Sequence, residues 1–125
     1  MKPRKLTEKD VVFVLACEPE QEPIEGNCSA CDPDTDRATA DWIRSELDHG
    51  NDWAWCCVTV TAVWQSAAGP TWTGSDSLGC CSYRSEYDFR TAGDYFQDMK
   101  DQALDNLNAQ IAKAWQACES IGLTE

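Results

Sequence analysis

The chain has 125 residues, with 10 Lys and Arg against 22 Asp and Glu, and a formal charge of −12. A surface this acidic repels nucleic acid and favours basic partners. An apolar fraction of 42% with six Trp excludes the aromatic-poor composition of acidic disordered chains.

The first nine residues hold Lys2, Arg4, Lys5 and Lys9, so residues 10 to 125 carry 21 acids against 6 bases. The length provides for one core, and the expected layout is a basic tail at 1–10 followed by a single α+β domain at 11–125. No apolar run approaches the roughly 20 residues needed to cross a bilayer. Leu6-Thr-Glu-Lys-Asp10 stands where a signal peptide would be apolar, so a cytoplasmic protein with no membrane partner is expected. Eight Cys imply a disulfide framework only in a secretory setting, and here reduced thiols are expected.

The short β-branched run from Val11 to Cys17 predicts a first strand, ended by Pro19 and Pro23. A loop from Glu18 to Asp36 follows, rich in Glu, Pro, Gly, Asn and Asp. The window Asp10 to Asp36 contains eight acids and no Lys or Arg. A helix is predicted from near Asp36, capped by Asp34, Thr35 or Asp36 and stopped by Gly50, with His49 in its last turn. Ala40, Ile43 and Leu47 form its apolar stripe.

Trp53 to Trp64 predicts the strongest strand. Ala54, Cys56, Val58, Val60 and Ala62 share the core face, and Trp53, Trp55, Cys57, Thr59 and Thr61 share the other, where the aromatics are either covered or exposed as partner anchors. Gln65 to Gly74 reads as a turn region and Ser77 to Tyr83 as the returning strand. A hairpin folded about Ala68 and Gly69 sets Cys56-Cys57 opposite Cys80-Cys81. Alternation then allows at most one Cys pair per face, which rules out a four-thiolate site. The last element is a long helix from about Gly93 to Ile121. Phe96, Met99, Ala103, Leu107, Ile111, Ala114 and Cys118 form its packing face. Asp94, Asp98, Asp101 and Asp105 form a stripe on the opposite, solvated side. The expected fold class is therefore α+β, a small antiparallel sheet packed against the long C-terminal helix and a shorter helix.

The chemistry-bearing patterns are sparse. Cys28-Ser-Ala-Cys31 could clamp half a zinc site or act as a redox pair, but no second Cys-x-x-Cys or His pair completes it, and its acidic setting raises thiol pKa. A Ser or Cys nucleophile would have only His49 as its base. Asp32-Pro-Asp34-Thr-Asp36 starts like a calcium loop but lacks the Gly at its sixth position and the Glu at its twelfth. No catalytic residue, metal ligand or cofactor is assigned, and a non-enzymatic protein is expected. The four carboxylates of the helix stripe are spaced at roughly one per 5 Å, against about 3.4 Å per phosphate along a DNA strand. Imitation of nucleic acid would therefore need the acidic loop beside them.

Gly26-Asn27, Asp32-Pro-Asp-Thr-Asp36, the helix Asp41 to Asp48, Trp53-Ala-Trp-Cys56, Ser77-Leu-Gly-Cys-Cys-Ser-Tyr83 and Asp94-Tyr-Phe-Gln-Asp-Met99 resemble a family of small accessory proteins encoded by tailed phages and prophages. The resemblance spans about residues 11 to 112, and members of that family often lack cysteines where Cys28 and Cys31 stand. It implies an accessory protein acting in the cytoplasm of a bacterial host, of the acidic kind that inhibits CRISPR or restriction complexes. The partner-binding residues expected on this reading are Glu18, Glu20, Glu22, Glu25, Asp32, Asp34 and Asp36, helped by Asp94, Asp98, Asp101 and Asp105. Each would pair with Lys or Arg on a basic, nucleic-acid-binding surface of a host protein. Two other readings stay open, a zinc- or thiol-dependent protein using Cys28 and Cys31 and a virion assembly protein.

Overall fold

The structure is a computed structural model that describes residues 4–28, 32–67 and 69–120. It is an α+β fold: a three-stranded antiparallel sheet with helices, the long C-terminal one packed on the sheet. The strands are β1 (Val12–Pro19), β2 (Cys56–Gln65) and β3 (Thr71–Cys81), in the order β1-β2-β3. The helices are α1 (Pro33–Asp48), α2 (Glu86–Thr91) and α3 (Tyr95–Ser120), with 3-10 turns at Glu8–Asp10 and Asp52–Ala54. Contacts gather into two compact units.

One unit joins Met1–Val14, Val60–Asp76 and Gln97–Glu125. Its core is Leu6, Val60, Ala62, Met99, Ala103 and Leu107. The helix residues recur every four positions, the spacing that stacks side chains on one face of a helix. The helix lies so close to β3 that a Cβ on Gly74 would stand 2.4 Å from the Leu107 nitrogen and 2.5 Å from the Ala103 oxygen. Only the absent side chain permits that approach. Asn108 ties the N-terminal segment to α3, accepting from the Leu6 N–H at 2.8 Å and donating to the Leu6 carbonyl at 3.0 Å. Along the packing face, Met99, Ala103 and Leu107 are buried, Ile111 and Ala114 half-buried and Cys118 exposed.

The other unit joins Leu15–Thr59 and Ser77–Phe96. One part of its core is Ile43, Ala54 and Trp55, with Ile24, Cys28 and Leu47 packed against them. The shorter helix thus packs on the 3-10 turn that leads into β2. Phe89 of α2 anchors the other part, meeting the rings of Trp53, Tyr83 and Phe96 at centroid distances of 5.6, 5.1 and 5.9 Å.

Several boundaries differ from the sequence reading for local physical reasons. β1 runs through Pro19 because it is an edge strand, where a missing N–H costs no ladder bond. α1 starts at Pro33, not near Asp36, because Asp32 caps it by accepting from the Thr35 N–H at 2.9 Å and Pro33 fits the first helical position. It stops as expected, with His49 at the C-cap and Gly50 at φ 91, a conformation that costs glycine nothing. β2 starts at Cys56 because Asn51 caps a 3-10 turn over Asp52–Ala54, so Trp53 and Trp55 are not on a shared strand face. β3 starts at Thr71 because the hairpin loop is short, closed by Ser66 and Pro70. Thr59 meets Ser77 and Thr61 meets Ser75 across the strands, one residue off the register expected for a turn about Ala68 and Gly69. Ala68 itself lies outside the described residues. α3 starts at Tyr95, which leaves Asp94 before the helix.

The alternation expected for β2 holds, with Cys56, Val58, Val60 and Ala62 all fully buried. Cys80 adopts φ 53, a left-handed break in the pleat, and Cys81 is the residue that becomes buried while Cys80 stays exposed. The doublets therefore split into Cys56 and Cys81 inside and Cys57 and Cys80 outward, one pair to each side.

Candidate functional site

The acidic segment follows β1, and the backbone of its described residues 20–28 is shaped by its own carboxylates. Glu20 accepts from the N–H groups of Gln21 at 2.8 Å, Glu22 at 3.0 Å and Cys80 at 2.5 Å. Those N–H groups, the Cys80 one foremost, hold its carboxyl below the usual range because they favour the charged form. This bond fastens the segment to the left-handed end of β3. The Trp55 indole N–H donates to the Glu22 carbonyl at 2.9 Å, a second fastening from the core side.

Two further acids serve the start of α1. Asp32 is held below the usual carboxylate range, chiefly by the Thr35 N–H it caps. Asp36 accepts from the Gly26 N–H at 2.9 Å and lies 3.3 Å from the Cys28 sulfur. Burial and that carboxylate push the Cys28 thiol up. A raised thiol pKa opposes both metal binding and nucleophilic attack, which need the thiolate. Cys31 lies outside the described residues. Among the described residues, no three His, Cys, Asp or Glu side chains converge on a point where a metal could bind.

The acids proposed from sequence thus separate by role. Glu20, Asp32 and Asp36 bond to backbone N–H groups of the loop, of β3 and of α1. Glu25 pairs with Arg44, which also reaches Asp41 at 3.3 Å, and Asp34 pairs with Arg37 at 3.7 Å. The window Asp10 to Asp36 is therefore not free of neutralising bases, as its sequence implied. Arg37 and Arg44 come from the helix that follows, and Arg4 holds Asp10 at 2.9 Å from the segment before. Arg44 could have been anticipated, because a base on the first helix after an acidic loop is within reach of it. Glu18 and Glu22 are exposed, and no ion pair to either occurs among the described residues.

Asp94, Asp98, Asp101 and Asp105 are all exposed, as a solvated stripe requires. Asp98, Asp101 and Asp105 belong to the unit built on α3, whereas the loop acids and Asp94 belong to the other unit. Charge is divided unequally between the two. The unit that holds the loop has 14 acids against 4 bases, a formal −10, and the α3 unit has 8 against 6, a formal −2. The acidic character of the chain is mainly a property of the unit containing the loop.

The Trp-bearing segment is covered rather than presented. Trp55 is 5% exposed and Trp53 is half-buried against Phe89. With six residues, α2 is too short to show a helical period in the sequence. Its signal was the Ser85 cap, which accepts from the Asp88 N–H at 3.1 Å. No helix among the described residues is long and apolar enough to cross a membrane. The sequence matches no protein-family model and no curated protein, and the fold matches no solved structure.

Proposed function

We propose that the chain is a non-catalytic, phage-encoded counter-defence inhibitor, of the anti-CRISPR or anti-restriction type. It acts in the cytoplasm of a bacterial host by occupying a basic, nucleic-acid-binding surface of a defence protein. The observation that carries this reading is the formal −10 of the unit holding the loop, with Glu18 and Glu22 exposed and, among the described residues, outside ion pairs, on a segment fastened through Glu20 and Trp55. A fastened acidic loop loses little entropy on binding, so its charge is available for partner contacts. Glu18 and Glu22 present charge outward, Glu25 and Asp34 lie exposed beside Arg44 and Arg37, and Glu20, Asp32 and Asp36 hold the frame that places them. Asp94, Asp98, Asp101 and Asp105 supply further carboxylates.

Capture of partners from host lysate, followed by affinity measurement across ionic strength, tests the proposal. The expected partner is a nucleic-acid-binding protein whose affinity falls at least about tenfold between about 0.05 and 0.2 M salt. Glu18→Lys with Glu22→Lys is expected to weaken binding without altering the fold. An affinity unchanged by salt and by both reversals would overturn the electrostatic reading.

A further inference from the structure

Cys17 and Cys56 carry a second property that the acidic surface does not use. Cys17 is on β1 and Cys56 begins β2, its neighbour in the sheet. Their thiols point to consecutive carbonyls of one 3-10 turn. Cys17 donates to the Asp52 oxygen at 3.5 Å and Cys56 to the Trp53 oxygen at 3.7 Å. The two thiols therefore face the same turn from neighbouring strands. Neighbouring strands lie about 4.8 Å apart, inside the Cα separation that a disulfide spans. The pair differs in access, with Cys17 half-buried and Cys56 fully buried. Cys81, the other buried thiol among the described residues, turns instead to the Leu78 oxygen at 3.2 Å.

We propose that Cys17 and Cys56 form a reversible disulfide, a redox clasp that locks β1, the strand from which the acidic loop departs, onto the start of β2. The oxidant is a small-molecule disulfide such as glutathione disulfide. The Cys17 thiolate attacks one sulfur of the oxidant and the oxidant's S–S bond breaks. The first glutathione leaves as a thiolate and takes up the Cys17 proton. The Cys56 thiolate then attacks the Cys17 sulfur, the Cys17–Cys56 bond forms, and the second glutathione leaves and takes up the Cys56 proton. Two electrons pass from the protein to the oxidant. Accessible Cys17 serves as the entry point and buried Cys56 as the resolving thiol. Burial raises both thiols, so the reduced pair is mostly protonated at neutral pH and closes slowly. Trp53 loses little, because its carbonyl keeps the Tyr83 N–H at 2.7 Å.

The test treats the reduced full chain with glutathione disulfide, blocks remaining thiols with N-ethylmaleimide, and maps the unreduced digest by mass spectrometry. The expected product is a peptide linking Cys17 to Cys56 that dithiothreitol releases. It is absent from Cys17→Ser and retained in Cys28→Ser and Cys118→Ser. Closing a loop of about 40 residues is expected to raise the melting temperature of the oxidised chain by roughly 5–15 °C over oxidised Cys17→Ser. If Cys17→Ser fails to fold by circular dichroism, Cys17→Ala replaces it, and the wild-type digest alone still decides. Complete oxidation without a Cys17–Cys56 peptide, or with Cys56 joined to Cys57 or Cys81 instead, would overturn the proposal.

Discussion

Glu20 shows how one carboxylate can serve structure in a segment that reads as pure surface charge. Three N–H groups hold its folded pKa below the unfolded value, so its stabilising contribution is complete above the unfolded value of about 4.3 and disappears as pH falls below it. The denaturation midpoint is therefore expected to drop between about pH 6 and pH 3, and to drop less in Glu20→Gln, which lacks the titrating group. Equal drops in urea titrations of the two proteins would assign the acid sensitivity to other carboxylates. Gly74 is the second residue of this kind. A Cβ there meets backbone on two sides, and backbone cannot swing aside as a flexible side chain can. Gly74→Ala is expected to cost about 3 kcal/mol of unfolding free energy, measured by chemical denaturation. A change within about 0.5 kcal/mol would mean that α3 can retreat from β3 at little cost.

At the scale of elements, composition was a better guide to existence than to boundaries. Both long helices and all three strands were legible, because apolar periods of 3.6 and 2 follow directly from which side chains face a core. The ends depended on caps and close approaches that no periodicity reports. Asp32 is the clearest case, since an acid that seemed part of a charge run is the N-cap of α1. Asp32→Ala is expected to destabilise the chain by about 1 kcal/mol and to lower helical ellipticity slightly. Circular dichroism during thermal melting checks both, and an unchanged melt would show that Pro33 and the first-turn acids Asp34 and Asp36 suffice to start the helix.

For the whole molecule, the governing quantity is the separation of charge. A unit with 14 acids and 4 bases repels itself when folded, and its few ion pairs are exposed and contribute little. Raising ionic strength from about 0.01 to 0.5 M is therefore expected to raise the melting temperature, because screening relieves more repulsion than attraction. A melting temperature that fell with salt would show that the ion pairs of Arg37, of Arg44 and of Arg90, which meets Glu86 at 2.8 Å within α2, outweigh the repulsion. The sequence by itself determined the α+β class, the core face of β2 and the buried part of the α3 packing stripe at Met99, Ala103 and Leu107, since these follow from local order in apolar residues. Only the tertiary structure decided which acids are occupied and which remain outward. That choice depends on Arg44 reaching Glu25 from α1, on Cys80 meeting Glu20 across 60 positions, and on Trp55 holding the Glu22 carbonyl. Contacts between residues far apart along the chain leave no period to read, so the acidic loop looked uniform in sequence and is divided by role in the fold.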